Sequence, residues 1–236
     1  MPHLATIAFD ADDTLWHNER FFRLTQDRFA ALLADYAPSD HLAERLLAAE
    51  RRNLGQYGFG IKGFTLSMIE TALDVTGDRV PARVIREIVA AGQEMLAHPI
   101  ELLPHAREAV QRLTGDYHIL LITKGDLLDQ ERKLAQSGLG ELFDGVEIVS
   151  DKTAPVYAGI FARHGHPPDA AMMVGNSLKS DVLPVLALGG WGVHVPHDLT
   201  WALEHDEPPE GHARFRSLDD LGALGDLVAA VESGPA

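Results

Sequence analysis

Short apolar runs alternate with amphipathic stretches along much of this chain, and each pattern predicts one kind of element. Residues 4–9 form a short apolar run with β-branched members, which is typical of a buried strand. Later runs share this character, and we expect strands there too: residues 117–123, 146–149, 171–174 and 191–195. Helical patterns lie between the runs, among others at residues 126–138 and 181–188, and a last helix is expected near 218–231. This alternation predicts an α/β fold with a doubly wound, Rossmann-like parallel sheet.

The stretch between the first two predicted strands has a helical pattern instead. Apolar residues recur there at helical spacing near residues 21–36, 42–47, 64–75 and 81–96. Prolines at positions 38, 81 and 99 lie at the ends of these segments, where proline favours a helix boundary. We therefore expect residues 17–99 to form an all-helical domain, inserted into an α/β core domain made of residues 1–16 and 100–236.

The composition is that of an ordinary globular protein, with 46% hydrophobic and 23% charged residues. No apolar stretch is long enough to span a membrane and the N-terminus lacks a signal-peptide pattern, so we expect a cytoplasmic protein. The absence of cysteine excludes disulfides, thiolate catalysis and cysteine-bound zinc. A net charge of -15 argues against nucleic acid or an anionic membrane as a partner. A small anionic substrate would need positive charge placed locally.

Three carboxylates follow the first predicted strand, at Asp10, Asp12 and Asp13. Carboxylates this close repel one another, so the cluster is unfavourable unless a cation or a proton binds there. Acidic residues after a strand also form turns and helix caps, which is the alternative explanation for Asp13. In extended backbone Asp10 and Asp12 point to the same side, and open α/β sheets bind ligands at the carboxyl ends of their strands. The sequence therefore predicts a functional site at this position.

Polar residues also follow three of the other predicted strands. The second strand ends in Thr123-Lys124-Gly125, which offers a hydroxyl, a cation and a backbone amide that an anion can approach closely. Lys152 follows the third strand, and Asn176 and Asp181 follow the fourth. Each segment alone has an ordinary explanation as a turn or a solvated loop. Together, in this order and each at a strand end, they are expected to converge.

These four segments resemble the ordered motifs of the haloacid dehalogenase (HAD) superfamily. The superfamily carries Asp-x-Asp-x-Thr or Val after its first strand, then Ser or Thr, then Lys, then a final acidic motif. The matching positions here are residues 10–14, Thr123, Lys152 and residues 175–181. The predicted helical insertion resembles the C1 cap of this superfamily, and the resemblance covers most of the chain, residues 7–195.

The resemblance implies a Mg²⁺-dependent phosphatase that hydrolyses a small phosphorylated metabolite through an aspartyl-phosphate intermediate. Asp10 would be the nucleophile, and Asp12 the general acid that protonates the leaving alcohol and then activates water. Thr123, the amides near Gly125 and Lys152 would hold the phosphoryl group. Lys152 would also pair with Asp10, and cap opening and closing would admit substrate. The implied metal ligands are Asp10, Asp12 through its backbone carbonyl, Asn176 and Asp181.

Two positions depart from the usual pattern. Asn176 stands where these phosphatases usually carry an acid that binds Mg²⁺ directly, and a neutral oxygen there is expected to lower the affinity for the metal. The metal-independent 2-haloacid dehalogenases also tend to carry Asn at this position, but their first motif typically lacks the second acid, which is present here as Asp12. Lys124 stands where relatives often have Asn, and it either adds affinity for phosphate or points into solvent.

Other functions stay open on the sequence alone. A phosphomutase would use the same residues and would differ in how water is kept out. A non-catalytic relative would bind phosphate without turnover, with Asn176 as the inactivating change. Neither the identity of the substrate nor the oligomeric state is predicted.

A glycine-rich segment is expected to form a loop at residues 55–63, and its part 58–63 matches the G-x-G-x-x-G dinucleotide fingerprint. No strand precedes it and it lies in the helical insertion, so a dinucleotide site is not expected there. A loop at this position of a C1 cap resembles the segment that reaches over the active site, which makes Tyr57, Phe59 and Lys62 candidate substrate contacts. The alternative is a flexible connector between helices.

Overall fold

The structure is a computed structural model in which residues 3–234 are described. The described residues divide into two compact units. Asn18–Pro99 together with Gly125–Asp129 form one, called here the helical unit, and the remaining described residues form the other, the sheet unit. The segment Gly125–Asp129 thus groups with the helical unit although it lies outside the predicted insertion.

The inserted part of the helical unit folds into α1 (Glu19–Leu32), α2 (Ser39–Tyr57), α3 (Ile61–Thr76) and α4 (Ala82–Ala97). These helices share an apolar core that includes Phe29 and Leu42 from the first half and Phe64, Met68 and Ile88 from the second. Apolar residues from each of the four segments predicted as helices therefore lie in this core.

The glycine-rich segment is mostly helical, which corrects the expectation of a loop over residues 55–63. Only residues 58–60 separate α2 from α3. Gly58 and Gly60 have φ angles of 72° and 119°, which favour glycine and explain the pattern as a tight connection between helices. Lys62, at the start of α3, donates to Asp126 at 3.2 Å within this unit. Substrate contacts from this segment stay a prediction.

The sheet unit contains six strands within residues 3–234: β1 (Thr6–Phe9), β2 (His118–Lys124), β3 (Gly145–Val149), β4 (Ala171–Gly175), β5 (Trp191–His194) and β6 (Phe215–Ser217). They are all parallel and have the order β3-β2-β1-β4-β5-β6. This confirms the predicted doubly wound parallel sheet. The last strand was not predicted, because three residues are too short to show a periodic pattern.

The remaining helices are α5 (Ala106–Leu113), α6 (Leu127–Ser137), α7 (Ala154–Arg163), α8 (Leu183–Ala187) and α9 (Leu224–Ser233). The helix expected at residues 181–188 begins instead with a wide π-helical turn, Leu178–Val182. The last helix begins at Leu224 rather than near 218, because β6 and a 3₁₀ turn capped by Asp220 precede it. In the described part of the chain, no helix combines the length and the apolar character needed to cross a membrane.

The first strand, β1, lies between β2 and β4 and is buried along its whole length. Ile7 and Phe9 belong to the apolar cluster on one face of the sheet, and Ala8 belongs to the cluster on the other face. Because helices cover both faces, the strand is a continuous apolar run rather than an alternating one. The apolar run ends with the strand at Phe9, and the charged residue Asp10 follows directly after its carboxyl end.

Candidate active site

Asp10 after β1, Lys152 after β3 and Asp181 after β4 form a buried ionic cluster. Lys152 Nζ lies 2.5 Å from Asp10 Oδ1 and 2.7 Å from Asp181 Oδ1. Asp10 is 6% exposed, Lys152 4% and Asp181 1%. One ammonium is thus shared by two carboxylates, and the cluster carries an excess of negative charge away from bulk water.

This excess charge shifts the proton equilibria of the cluster. Burial, opposed by Lys152 and assisted by the charge of Asp181, raises the pKa of Asp10 from 3.8 to about 7. Burial alone would lower the pKa of Lys152, but the carboxylates of Asp10 and Asp181 outweigh it and raise that pKa above its ordinary value. Lys152 therefore stays a cation. It neutralises the carboxylate of Asp10 only in part, so Asp10 gains a proton more readily than an ordinary aspartate does.

A tight turn after β1 positions Asp10. Asp13 has a φ angle of 60°, in the left-handed region, and its N–H donates to the backbone oxygen of Trp16 at 2.7 Å. The turn returns Thr14 to Asp10, where its hydroxyl lies 3.0 Å from Asp10 Oδ2 as a donor. The turn-forming explanation of Asp13 is confirmed, whereas Asp10 belongs to the ionic cluster.

Asn176 joins the same turn through Thr14. Its backbone N–H donates to Thr14 Oγ1 at 3.1 Å, and its side-chain oxygen lies 3.3 Å from that hydroxyl. The carboxylates of Asp10 and Asp181 and the amide oxygen of Asn176 are hard donors of the kind that Mg²⁺ takes, and their excess charge fits a divalent cation. Within residues 3–234 no group of three or more His, Cys, Asp or Glu is arranged to hold a metal ion. A Mg²⁺ ion would therefore depend on this mixed donor set and on water.

Asp12 has partners quite different from those of Asp10. Lys133 Nζ lies 3.0 Å and 2.9 Å from its two carboxylate oxygens. Trp16 Nε1 donates to Asp12 Oδ1 at 2.7 Å, and Gln130 Nε2 donates to Oδ2 at 3.1 Å. Gln130 Nε2 also lies 2.7 Å from Thr123 Oγ1. The structure thus connects two predicted site residues, Asp12 and Thr123, through a side chain that was not predicted.

Lys124 does not point into solvent, which corrects one of the two alternatives for it. Its ammonium lies 2.6 Å from Glu204 Oε1 and 2.8 Å from Ser180 Oγ. Glu204 Oε2 accepts hydrogen bonds from the hydroxyls of Ser177 and Ser180. The side chains of Lys124 and Glu204 are only 12% and 15% exposed. Phosphate binding by Lys124, and by the amide of Gly125 in the loop that follows, stays a prediction.

Gln130, Lys133 and Glu204 contact candidate site residues and were not predicted from the sequence. Gln130 and Lys133 are three positions apart on α6, a spacing that places them on one helix face. Because α6 follows the strand that carries Thr123, polar residues at this spacing in its first turns are a signal that could have identified them. Glu204 lies in the irregular segment between β5 and β6, where no periodic pattern exists.

Replacing Glu204 by glutamine is expected to lower the free energy of unfolding by about 3 kcal/mol. The largely buried ammonium of Lys124 then loses the carboxylate that neutralises it. Although burial raises it, Lys124 and two hydroxyls hold the pKa of Glu204 below its ordinary value of 4.5. The stabilisation is therefore present above pH 4.5 and is lost as the pH falls further. Urea unfolding at pH 7 and at acidic pH measures both effects. Glu207→Gln, at an exposed position of the same segment, is the matched control, and equal stabilities of the two variants would contradict this account.

Comparison with known proteins identifies relatives of the whole chain. The sequence profile of the family described as haloacid dehalogenase-like hydrolase matches residues 4–189. A haloacid dehalogenase-like family hydrolase from Xanthomonas campestris, known from its crystal structure, is 43% identical and superimposes with a TM-score of 0.87. That superposition covers 98% of this chain and 92% of the relative.

Two more distant relatives differ in their chemistry. The glyceraldehyde 3-phosphate phosphatase of Methanothermobacter thermautotrophicus is 22% identical over 232 residues, which are 95% of this chain and 100% of the relative. The L-2-haloacid dehalogenase of Xanthobacter autotrophicus is 18% identical, with a TM-score of 0.63 over 96% of this chain and 99% of the relative. The likeness to the dehalogenase shows the fold alone, so the fold does not separate the two reactions.

Proposed function

The chain belongs to the haloacid dehalogenase-like hydrolases, and from this membership and the contacts of its site we propose that it is a Mg²⁺-dependent phosphatase. Its substrate is a small phosphorylated metabolite, and the segment Asn18–Pro99 is its cap. The observation that carries the proposal is a pair of carboxylates in different surroundings. Asp10 is buried 2.5 Å from the ammonium of Lys152, whereas Asp12 accepts hydrogen bonds from several side chains.

The two carboxylates divide the reaction between them. Asp10 attacks the phosphorus of the substrate, and the bond from phosphorus to the ester oxygen breaks. Asp12 gives its proton to that oxygen, so the alcohol leaves uncharged. Asp12 then takes a proton from water, whose oxygen attacks the phosphorus and releases inorganic phosphate and the Asp10 carboxylate. Lys152 and Thr123 donate to the phosphoryl oxygens in both steps.

A divalent cation suits the charge of this site. Asp10, Asp181, Asn176 and the backbone carbonyl of Asp12 would hold Mg²⁺, which offsets the negative charge that the nucleophile and an anionic substrate would otherwise bring together. Lys152 brings one positive charge to the two carboxylates of Asp10 and Asp181, so negative charge remains for the metal to neutralise. Because Asn176 supplies a neutral oxygen, we expect weaker binding of Mg²⁺ than a carboxylate would give.

A second candidate function is a metal-independent 2-haloacid dehalogenase, which Asn176 favours. In that reaction Asp10 displaces halide from carbon and forms an ester, and water hydrolyses the ester. Halide leaves as a stable anion and needs no proton, so the reaction has no use for an acid that protonates the leaving group. The presence of Asp12, held by Trp16, Gln130 and Lys133, therefore argues for the phosphatase.

Metal removal tests the proposal. With added Mg²⁺ the protein is expected to hydrolyse 4-nitrophenyl phosphate, and excess EDTA is expected to lower kcat/KM by about 100-fold or more. Asn176→Asp is expected to lower the Mg²⁺ concentration for half-maximal activity by about tenfold, because a carboxylate replaces a neutral ligand. The matched assay uses 2-chloropropionate in EDTA. Halide release there, without phosphate release under any condition, would establish the dehalogenase instead.

A further inference from the structure

We infer that Gln130 is a positioning residue, which links the phosphate-binding hydroxyl of Thr123 to the acid/base carboxylate of Asp12. Lys133, one turn further along α6, fixes the same carboxylate. The inference rests on the proposed phosphatase function, and it assigns a role to a helix that carries no motif residue.

The amide of Gln130 lies at the junction of two site segments. Its Nε2 is 2.7 Å from Thr123 Oγ1, 2.8 Å from the backbone oxygen of Lys124 and 3.1 Å from Asp12 Oδ2. Gln130 is 3% exposed and Thr123 is 1% exposed, so water does not compete for these contacts. The end of β2 and the turn after β1 are therefore joined by one side chain.

Chemistry fixes which way this amide faces. A carboxylate and a backbone carbonyl only accept hydrogen bonds, so the NH₂ group of Gln130 must face Asp12 and Lys124, and its two hydrogens are shared among these two acceptors and Thr123 Oγ1. The side-chain oxygen of Gln130 is then left buried, and it has no hydrogen-bond partner among residues 3–234. Leaving a buried acceptor unsatisfied is unfavourable, and such groups call for a compensating role. Holding Thr123 and Asp12 together is that role here.

The contact also orients the hydroxyl of Thr123. A threonine hydroxyl has one hydrogen, and Gln130 already donates to its oxygen at 2.7 Å. The hydrogen of Thr123 must therefore point away from Gln130, where it serves as a donor. Within residues 3–234 this hydroxyl donates to the backbone oxygen of Lys124 at 3.5 Å, which is a weak contact. The hydroxyl is thus prepared to donate to a phosphate oxygen.

Both oxygens of Asp12 are fixed in the same arrangement. Gln130 holds Oδ2, Trp16 holds Oδ1 at 2.7 Å, and the ammonium of Lys133 lies within 3.0 Å of each. A carboxyl group held in this way keeps one orientation, so proton transfer to the leaving oxygen occurs from a fixed position. Loss of Gln130 should therefore weaken phosphate binding and proton delivery together.

The leaving group of the substrate gives a test that a purely structural role would not pass. We compare Gln130→Met with Gln136→Met, an exposed glutamine on the same helix, in kcat and KM for 4-nitrophenyl phosphate and phenyl phosphate. 4-Nitrophenolate leaves with little help from an acid, whereas phenolate needs it. Gln130→Met is expected to lower kcat/KM about 100-fold for phenyl phosphate and about tenfold or less for 4-nitrophenyl phosphate. KM is expected to rise for both substrates, and Gln136→Met to match the wild type.

A double-mutant cycle with Asp12→Asn adds a second readout. If Gln130 acts through Asp12, adding Gln130→Met to Asp12→Asn should not further increase the difference in kcat/KM between 4-nitrophenyl phosphate and phenyl phosphate. Lys133→Met provides the same comparison should Gln130→Met fold poorly. Gln130→Asn keeps the amide on a side chain shorter by one methylene, so it tests whether the amide must reach both Thr123 and Asp12. An equal loss of kcat/KM for both leaving groups, or effects that add fully in the cycle, would overturn the inference. Wild-type protein that hydrolyses neither ester would instead refute the proposed function, and the inference with it.

Discussion

Asp10→Asn is expected to lower kcat for phosphate-ester hydrolysis by about 10⁴-fold or more, because the amide keeps the size of the carboxyl group but cannot attack phosphorus. In EDTA the variant should also be as stable as the wild type or more stable. Burial raises the pKa of Asp10 from 3.8 to about 7, so its ionisation destabilises the folded state. The advantage of the variant should therefore grow as the pH rises from 3.8 to about 7 and stay constant above.

Steady-state kinetics and thermal unfolding across this pH range measure the two effects. Asp219→Asn, at an exposed position of the sheet unit, is the matched control and should change neither. If Asp10→Asn retained activity within tenfold of the wild type, Asp10 would not be the nucleophile. The free energy of unfolding of the variant minus that of the wild type is the quantity to compare. If this difference were smaller at pH 8 than at pH 4, ionisation of Asp10 would not destabilise the folded state.

Lys152→Met is expected to have the largest effect on stability, a loss of about 3–5 kcal/mol at pH 8 in EDTA. The substitution leaves the buried carboxylates of Asp10 and Asp181 without the ammonium that both contact. Activity should also fall by at least about 10³-fold, because the phosphoryl group loses a buried cation. Acidification should restore part of the lost stability, since protonation removes the charge that the variant cannot neutralise.

Urea unfolding at pH 8 and pH 5 measures this effect. Lys179→Met is the matched control, because Lys179 also follows β4 but is exposed, and its loss should cost less than about 1 kcal/mol. A loss below 1 kcal/mol for Lys152→Met at both pH values would mean that Asp10 and Asp181 are not held as charged groups by this lysine.

The ends of the buried strands were the most predictable part of this molecule. A parallel strand covered on both faces is a continuous apolar run, so the change from Phe9 to Asp10 marks the carboxyl end in the sequence itself. The same reasoning located Thr123 at the end of β2, whereas Lys152 follows β3, a partly exposed strand at the edge of the sheet. The convergence of Asp10 and Lys152 then follows from the parallel order of the strands.

The wide turn at Leu178–Val182 was not predictable in the same way. Its shape depends on side chains within the turn, since the N–H of Ser177 donates to Asp181 Oδ2 at 3.0 Å and the hydroxyl of Ser177 accepts from the N–H of Ser180. Hydrophobic periodicity gives the presence of a helix but not the width of its first turn. The sequence therefore predicted Asp181 as a site residue and misplaced the helix around it.

The spacing on α6 marks Lys133 as a candidate, but the pairing of Lys133 with Asp12 and of Glu204 with Lys124 could not be predicted from the sequence. Lys133 and Glu204 are far along the chain from the residues that they contact. Polar side chains of this kind are usually solvated, and only the packing of α6 and of the segment before β6 buries them here. The charged group that each of them contacts follows from the distances in the structure.

The central claim, that Asp10 receives the phosphoryl group, is tested most directly by trapping the intermediate. Protein mixed with 4-nitrophenyl phosphate and Mg²⁺ is quenched in acid within the first turnover and digested, and its peptides are weighed by mass spectrometry. The account predicts a phosphorylated peptide containing Asp10, formed together with a burst of nitrophenol and absent from Asp10→Asn. Nitrophenol release with no phosphorylated peptide, or with phosphate on another residue, would contradict it.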